Sequence, residues 1–229
     1  MKRLVGYVLL LVVLVGLVYL ILTYVPVHQI LAQPVAQNPG TQITVAHIND
    51  ATSTYTVNVQ YPQVGIPAID AQIKTTVQDA VAEFETTPPN PPDSATPQNS
   101  FTGTFDSLYI GPDVVSVKLV LSQYTGGAHD LTVINGLNYD RATGKALTLD
   151  DALKITGLSL DQLAASAATQ LKASLGDAFM FPDGASANRD NFNSFVISAD
   201  KVTFIFQEYQ VAPYSEGIQH VSFPRAVAL

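Results

Sequence analysis

Hydrophobic and polar positions alternate in clearly different rhythms along this chain. From Leu4 to Val25 there is no rhythm at all: LVGYVLLLVVLVGLVYLILTYV carries 22 residues without a charge. As a helix this run would measure roughly 33 Å, enough to cross a bilayer core. Lys2 and Arg3 precede it, and positive charge stays on the cytoplasmic side. The expected arrangement is a three-residue cytoplasmic stub, a transmembrane anchor ending at residue 25 and an extracytoplasmic remainder. A cleaved signal peptide is the alternative; its nearest cleavage site, Ile30-Leu31-Ala32, has a bulky outer residue. Residues 26–40 hold Pro26, Pro34, Pro39 and Gly40 with little periodic apolar content, which predicts a flexible tether.

After Thr41 the rhythm becomes that of strands and helices. Ile43 and Val45 are expected on one face of a short strand. Tyr55, Val57, Val59 and Tyr61 alternate with polar residues, the period of a half-buried antiparallel strand. Ile66, Ile69, Ile73, Val77, Val81 and Phe84 recur every three or four positions, one face of an amphipathic helix with Pro67 in its first turn. Five prolines between Thr86 and Asn99 stop it and predict an exposed loop. Three strands should follow. Phe101, Phe105 and Tyr109 share a face of the first; Val115, Val117, Leu119 and Leu121 line the second; Leu131, Val133, Asn135, Leu137 and Tyr139 line the third.

A short helix near 150–155 precedes a stronger one. Ser159 and Gln162 form a capping box, Leu160, Leu163, Ala164, Ala167, Leu171 and Leu175 the stripe, and Gly176 the stop. Residues 177–194 read as polar and irregular, with Phe179, Phe181 and Phe192 tucked onto the core. Strands at 195–198, 201–206 and 218–223 close the chain. Runs of strands and helices without regular alternation predict an α+β fold: an antiparallel sheet with two or three helices packed on one face, behind the single N-terminal transmembrane helix. An N-terminal α+β subdomain is expected over 41–125, with its Pro-rich loop at 86–99, and a C-terminal α+β domain over 126–229.

Charge narrows the partners. Beyond Val25 there are 9 Lys and Arg against 19 Asp and Glu, a net charge of −10. That argues against nucleic acid and anionic lipid headgroups, which demand clustered Lys and Arg, and allows attraction toward a cationic protein. With no cysteine, the exported part must stand on its core alone.

Two stretches are candidates for recognition. Tyr124-Thr125-Gly126-Gly127-Ala128-His129 lies between two strong strands, where a glycine pair permits an unusual backbone path and close approach of another chain. Tyr209 to Gly217, with Tyr209, Pro213, Tyr214 and Glu216, is a stiffened loop with amphipathic aromatic tips. Either stretch also reads as a packed turn. For catalysis, Ser198-Ala199-Asp200-Lys201 matches S-x-x-K without its companion motifs, and no nucleophile elbow or phosphate loop exists. His28, His47, His129 and His220 lack metal-ligand spacing. No catalytic residue, metal or cofactor is expected; a hydrolase or transferase of envelope polymer pairing His129 with an acid is the alternative.

YTGGAH, NGLNYDRATGKALTLDDAL and VTFIFQEYQVAPYSEGIQHVSFP together resemble a bacterial extracytoplasmic domain of uncharacterised type. It is the kind found in the ectodomain of the anti-sigma factor RsiV and the non-catalytic N-terminal part of the peptidoglycan deacetylase PdaC. The resemblance implies a membrane-anchored binding module of the cell envelope that recognises a lysozyme-like protein or peptidoglycan. Neither sigma sequestration nor deacetylation is expected from residues 1–229.

Overall fold

The computed structural model describes residues 43–91 and 95–229. The expected membrane span, the tether and His28 lie outside them. Among the described residues no helix is long and apolar enough to cross a membrane.

Among the described residues the fold is α+β, with three α-helices and two sheets. Strands β1 (Thr44–Ala51), β2 (Tyr55–Gln63), β3 (Asn99–Ile110), β4 (Val114–Tyr124) and β5 (Leu131–Asp140) form one sheet in sequence order. Strands β6 (Phe195–Ile197), β7 (Lys201–Phe206) and β8 (Gln219–Pro224) form a second, antiparallel one. This corrects the expectation of one antiparallel sheet with every helix on one face. β2 and β3 run parallel, because helix α1 (Pro67–Glu85) and the proline-rich segment together make the long crossover a parallel pair requires. β5 hydrogen-bonds along β4, so the sheet continues across position 125/126.

Helix α1 buries the stripe expected of it. Ile69, Ile73, Val77, Val81 and Phe84 pack against Val57, Val59 and Tyr61 of β2 and the odd-numbered apolar residues of β4. Ile66 supplies no side-chain cap. Asp70 instead reaches back, its carboxylate accepting from the N–H groups of Val64 (2.6 Å) and Gly65 (3.1 Å). In β1 the inward residues are Ala46 and Ile48, opposite Tyr61 and Val59, and Val45 is 45% exposed. The Ile43/Val45 face expected from the sequence therefore does not hold. In β3 a bulge between Phe105 and Ser107 shifts the parity, so Leu108 and Ile110 follow Phe101 and Phe105 into the core in place of Tyr109. The bulge aims Asp106 at Lys118, 2.8 Å away.

Helices α2 (Leu149–Thr156) and α3 (Leu160–Leu175) belong to a second core with the three-stranded sheet. The Ser159–Gln162 box closes in both directions, at 2.9 and 3.2 Å. Phe192, Phe204 and Phe206 meet edge-on at the centre of this core. Phe181, expected to be tucked in, is 40% exposed.

Strand β4 is buried on both faces, and there the two cores join. Val115, Val117, Leu119 and Leu121 serve the first core, while Val114 turns to the second. Beside Val114, the Ser116 hydroxyl donates to Asn138 Oδ1 (2.6 Å) and accepts from the Ile197 N–H (2.9 Å). Asn138 Nδ2 donates to the Phe195 carbonyl at 2.7 Å. Buried polar groups must be satisfied, and these satisfy one another across the junction.

Candidate functional site

The β4–β5 turn and the loop after β7 meet. His129 stacks on Tyr214 with ring centroids 3.8 Å apart and an interplanar angle of 16°. Tyr209 and Tyr214 lie 5.6 Å apart at 28°, so the three rings form one aromatic cluster. His129 Nδ1 lies 2.8 Å from the Asp130 carbonyl, which can only accept, so Nδ1 carries the proton. In the neutral ring Nε2 is then the acceptor, and the Tyr209 hydroxyl donates to it at 3.3 Å.

Each ring is placed by its own loop. On the first, β4 ends at Tyr124, whose hydroxyl donates to the Gly127 carbonyl at 3.3 Å. Gly126 and Gly127 have φ of +94° and +130°, a path that other residues take only under strain. A Cβ on Gly126 would also stand 2.9 Å from Asn90 Oδ1, so the proline-rich segment borders the turn. On the second loop, the Gln207 side chain pairs with both main-chain groups of Ile134, accepting from its N–H and donating to its C=O, each at 2.9 Å. Gln210 donates to the carbonyls of Gly184 and Asn191. With both flanks fixed, Tyr209 is held at φ +63°, alone among non-glycine described residues, and its side chain stands 51% exposed. Such a conformation costs on the order of 1–3 kcal/mol and persists only where the surroundings impose it. Beyond it, buried Val211 and Ala212 anchor the loop, and Pro213 leads into the turn Tyr214–Glu216.

The sequence-flagged residues thus fall into three groups. His129, Tyr209 and Tyr214 come together. Tyr124, Gly126, Gly127 and Pro213 shape the backbone behind them. Glu216 is exposed on the turn, with its main-chain carbonyl accepting from Gln219. Sequence reasoning missed Gln207 and Gln210, whose work is visible only through partners far along the chain. Both loops are acidic: Asp130, Glu208 and Glu216 are present, and residues 124–130 and 207–217 contain no lysine or arginine.

For general acid–base chemistry the cluster is poorly equipped. Both ring nitrogens of His129 are engaged by a carbonyl and a phenol, and no carboxylate is among those partners. Ser198 of the S-x-x-K match closes its own turn, its hydroxyl donating to Asp200 Oδ1 at 2.9 Å. Among the described residues there is no group of three or more His, Cys, Asp or Glu able to hold a metal ion.

Comparison with known proteins now places the chain. The Bacillus subtilis (strain 168) peptidoglycan-N-acetylmuramic acid deacetylase PdaC is 26% identical over 184 residues, which cover 79% of this chain. The chain spans only 39% of the length of that relative. The structure of a DUF3298 family protein from Pseudomonas aeruginosa PAO1 superposes with a TM-score of 0.55 at 20% identity, covering 82% of this chain and 91% of the other. Another family member, from Bacteroides fragilis NCTC 9343, gives 0.53 at 17% identity, covering 81% and 90%. These likenesses establish the fold, and the resemblance to PdaC read from the sequence holds. The segment from α2 through β8, residues 148–226, matches the family described as "Protein of unknown function (DUF3298)", and the loop bearing Tyr209 and Tyr214 lies inside that match.

Proposed function

We propose that this chain is an envelope-associated binding module whose contact surface is the cluster of His129, Tyr209 and Tyr214. The carrying observation is the convergence of two loops on one exposed aromatic stack, with Tyr209 held in a strained backbone conformation to present its ring. Strain maintained at an exposed aromatic residue signals a use for the ring, since a relaxed turn would serve packing equally well. The partner is a cationic, lysozyme-like protein or peptidoglycan: aromatic faces attract cations and accept sugar rings, and the surrounding loops carry only acidic charge. Relation to a peptidoglycan deacetylase supports an envelope setting. Residues 4–25 anchor the module in the membrane, with the described domain outside. Full engagement of the His129 ring by non-acidic partners favours binding over catalysis.

Surface-plasmon kinetics against lysozyme, and pull-down with purified peptidoglycan, test this. Tyr214→Ala should weaken binding by about 2 kcal/mol, the scale of a lost interface anchor, with unchanged circular dichroism. Glu216→Lys should mainly slow association, and the effect should fade with salt. Lack of binding to either partner removes the leading ligands; full affinity of a folded Tyr214→Ala variant moves the surface elsewhere. Protease added outside intact spheroplasts should remove the domain, and survival of the full-length chain would overturn the orientation.

A further inference from the structure

Strand β5 lies at the edge of its sheet, and α1 covers only part of its inward face. Leu131 and Val133 are 45% and 38% exposed there. Between β5 and α1 runs a groove of about 510 Å3, within the roughly 300–1,000 Å3 range of ligand clefts. Thr76, Asp79, Ala80 and Glu83, neighbours at helical spacing, form one wall. The opposite wall includes Asp190 and Gln207, and Val133, Leu137 and Ile205 give the floor its aliphatic part, with Asn135 between the first two. Past Val133 the groove continues into a depression of about 380 Å3, where Phe84, Phe101, Leu121 and Leu131 extend the apolar floor.

The lining carries three carboxylates, Asp79, Glu83 and Asp190, and no lysine, arginine or histidine. None of the three is among the ion pairs of the described residues, which engage Asp106, Asp113, Asp150 and Asp177. Strand addition along β5 is blocked, since Gln207 already occupies the outward N–H and C=O of Ile134. An occupant must therefore be recognised through side chains, by acidic walls above an aliphatic floor.

We propose that this groove docks an extended, lysine- or arginine-bearing peptide segment of a partner protein. Long basic side chains match both parts of it: their methylene stems lie along Val133 and Leu137 while their heads reach Asp79, Glu83 and Asp190. A compact inorganic cation would leave the floor uncovered, and a neutral glycan would make no use of the charge on the three carboxylates. None of His129, Tyr209 and Tyr214 lines the groove, although Gln207 and Gln210, which hold the Tyr209 loop, do.

The test is fluorescence anisotropy of a labelled hexapeptide of alternating lysine and alanine titrated with the full chain. The paired change Asp79→Asn and Glu83→Gln should weaken binding about tenfold or more by removing two facing charges. Val133→Lys, at an exposed position, should abolish binding by placing a like charge on the floor. Asp161→Asn with Asp177→Asn, which removes the same formal charge from other exposed sites, should leave binding unchanged. Absence of wild-type binding, or equal losses in the two paired variants, would overturn the proposal. So would binding of a glucosamine tetramer in place of the peptide, which would give the groove to amino-sugars.

Discussion

Glycine serves two different ends in this chain, and they differ in what a methyl group would cost. At Gly127 the backbone has φ +130° and a Cβ would meet nothing within 4 Å, so the cost of substitution is conformational alone. At Gly136 a Cβ would fall 1.7 Å from the Phe195 carbonyl oxygen, inside the junction where β6 crosses β5. Neither atom can yield, since the Phe195 carbonyl also accepts from Asn138 Nδ2. Gly136→Ala should therefore destabilise by roughly 3 kcal/mol or more, as overpacking against fixed backbone does, and Gly127→Ala by about 1 kcal/mol. Urea unfolding of the two variants decides it; equal midpoints would mean that the sheets part easily at Gly136. The glycine pair at 126–127 was legible as a special backbone site from its place between two strand rhythms. Gly136 was not, because its reason is an oxygen 59 positions further along the chain.

Elements were legible where their own period declared them. The stripe from Ile69 to Phe84 fixed α1, and Ser159 with Gln162 fixed the start of α3, because both depend on residues three or four apart. Where an element's role depends on a distant partner, local pattern failed. The bulge at Asp106 swaps the faces of β3 after Phe105, and nothing in Phe101–Tyr109 announces it. The parallel β2–β3 pair and the division into two sheets follow from packing around α1 and β4, which alternation alone does not encode. The aromatic cluster was half legible: each loop stood out by composition, but His129 and Tyr209 are 80 positions apart and only the fold joins them. Gln207 shows what was hidden. It pairs with edge strand β5 as a neighbouring strand would, closing a ladder that would otherwise stand open. Gln207→Ala should cost about 1–3 kcal/mol by leaving the Ile134 N–H without its partner, while the carbonyl keeps the Ser194 hydroxyl at 2.8 Å. Hydrogen exchange should accelerate at Ile134 in particular; unchanged protection there would deny the clamp its role.

For the molecule as a whole, the chain end is fastened to the first sheet by one charged contact. Arg225, with its side chain only 9% exposed, donates to Asp113 Oδ2 in the β3–β4 turn and to the Ser198 carbonyl. The Leu229 N–H also donates to Asp113 Oδ2 at 3.1 Å. Burial by itself would raise the Asp113 carboxyl, but the hydrogen bonds from Arg225 and Leu229 and the guanidinium charge outweigh it and hold the group below the usual carboxylate range. A carboxyl depressed in the folded state binds fewer protons there than in the unfolded chain, so stability rises with pH through its titration. The contribution is complete above the unfolded value of about 4 and is lost as pH falls through the lower folded value. Asp113→Asn keeps the shape and leaves Arg225 half-served, so it should cost about 3 kcal/mol at neutral pH, the lower end for a broken buried pair. As pH falls below the unfolded value and through the lower folded one, that difference should shrink toward zero. The measurement is urea unfolding of both proteins across this range. Apart from Asp140, whose carboxyl also feels the Asp113 charge, the difference between the two proteins reports on Asp113. A gap that stays constant from neutral to acid would show that the fastening owes nothing to charge, and that Arg225 is held by packing alone.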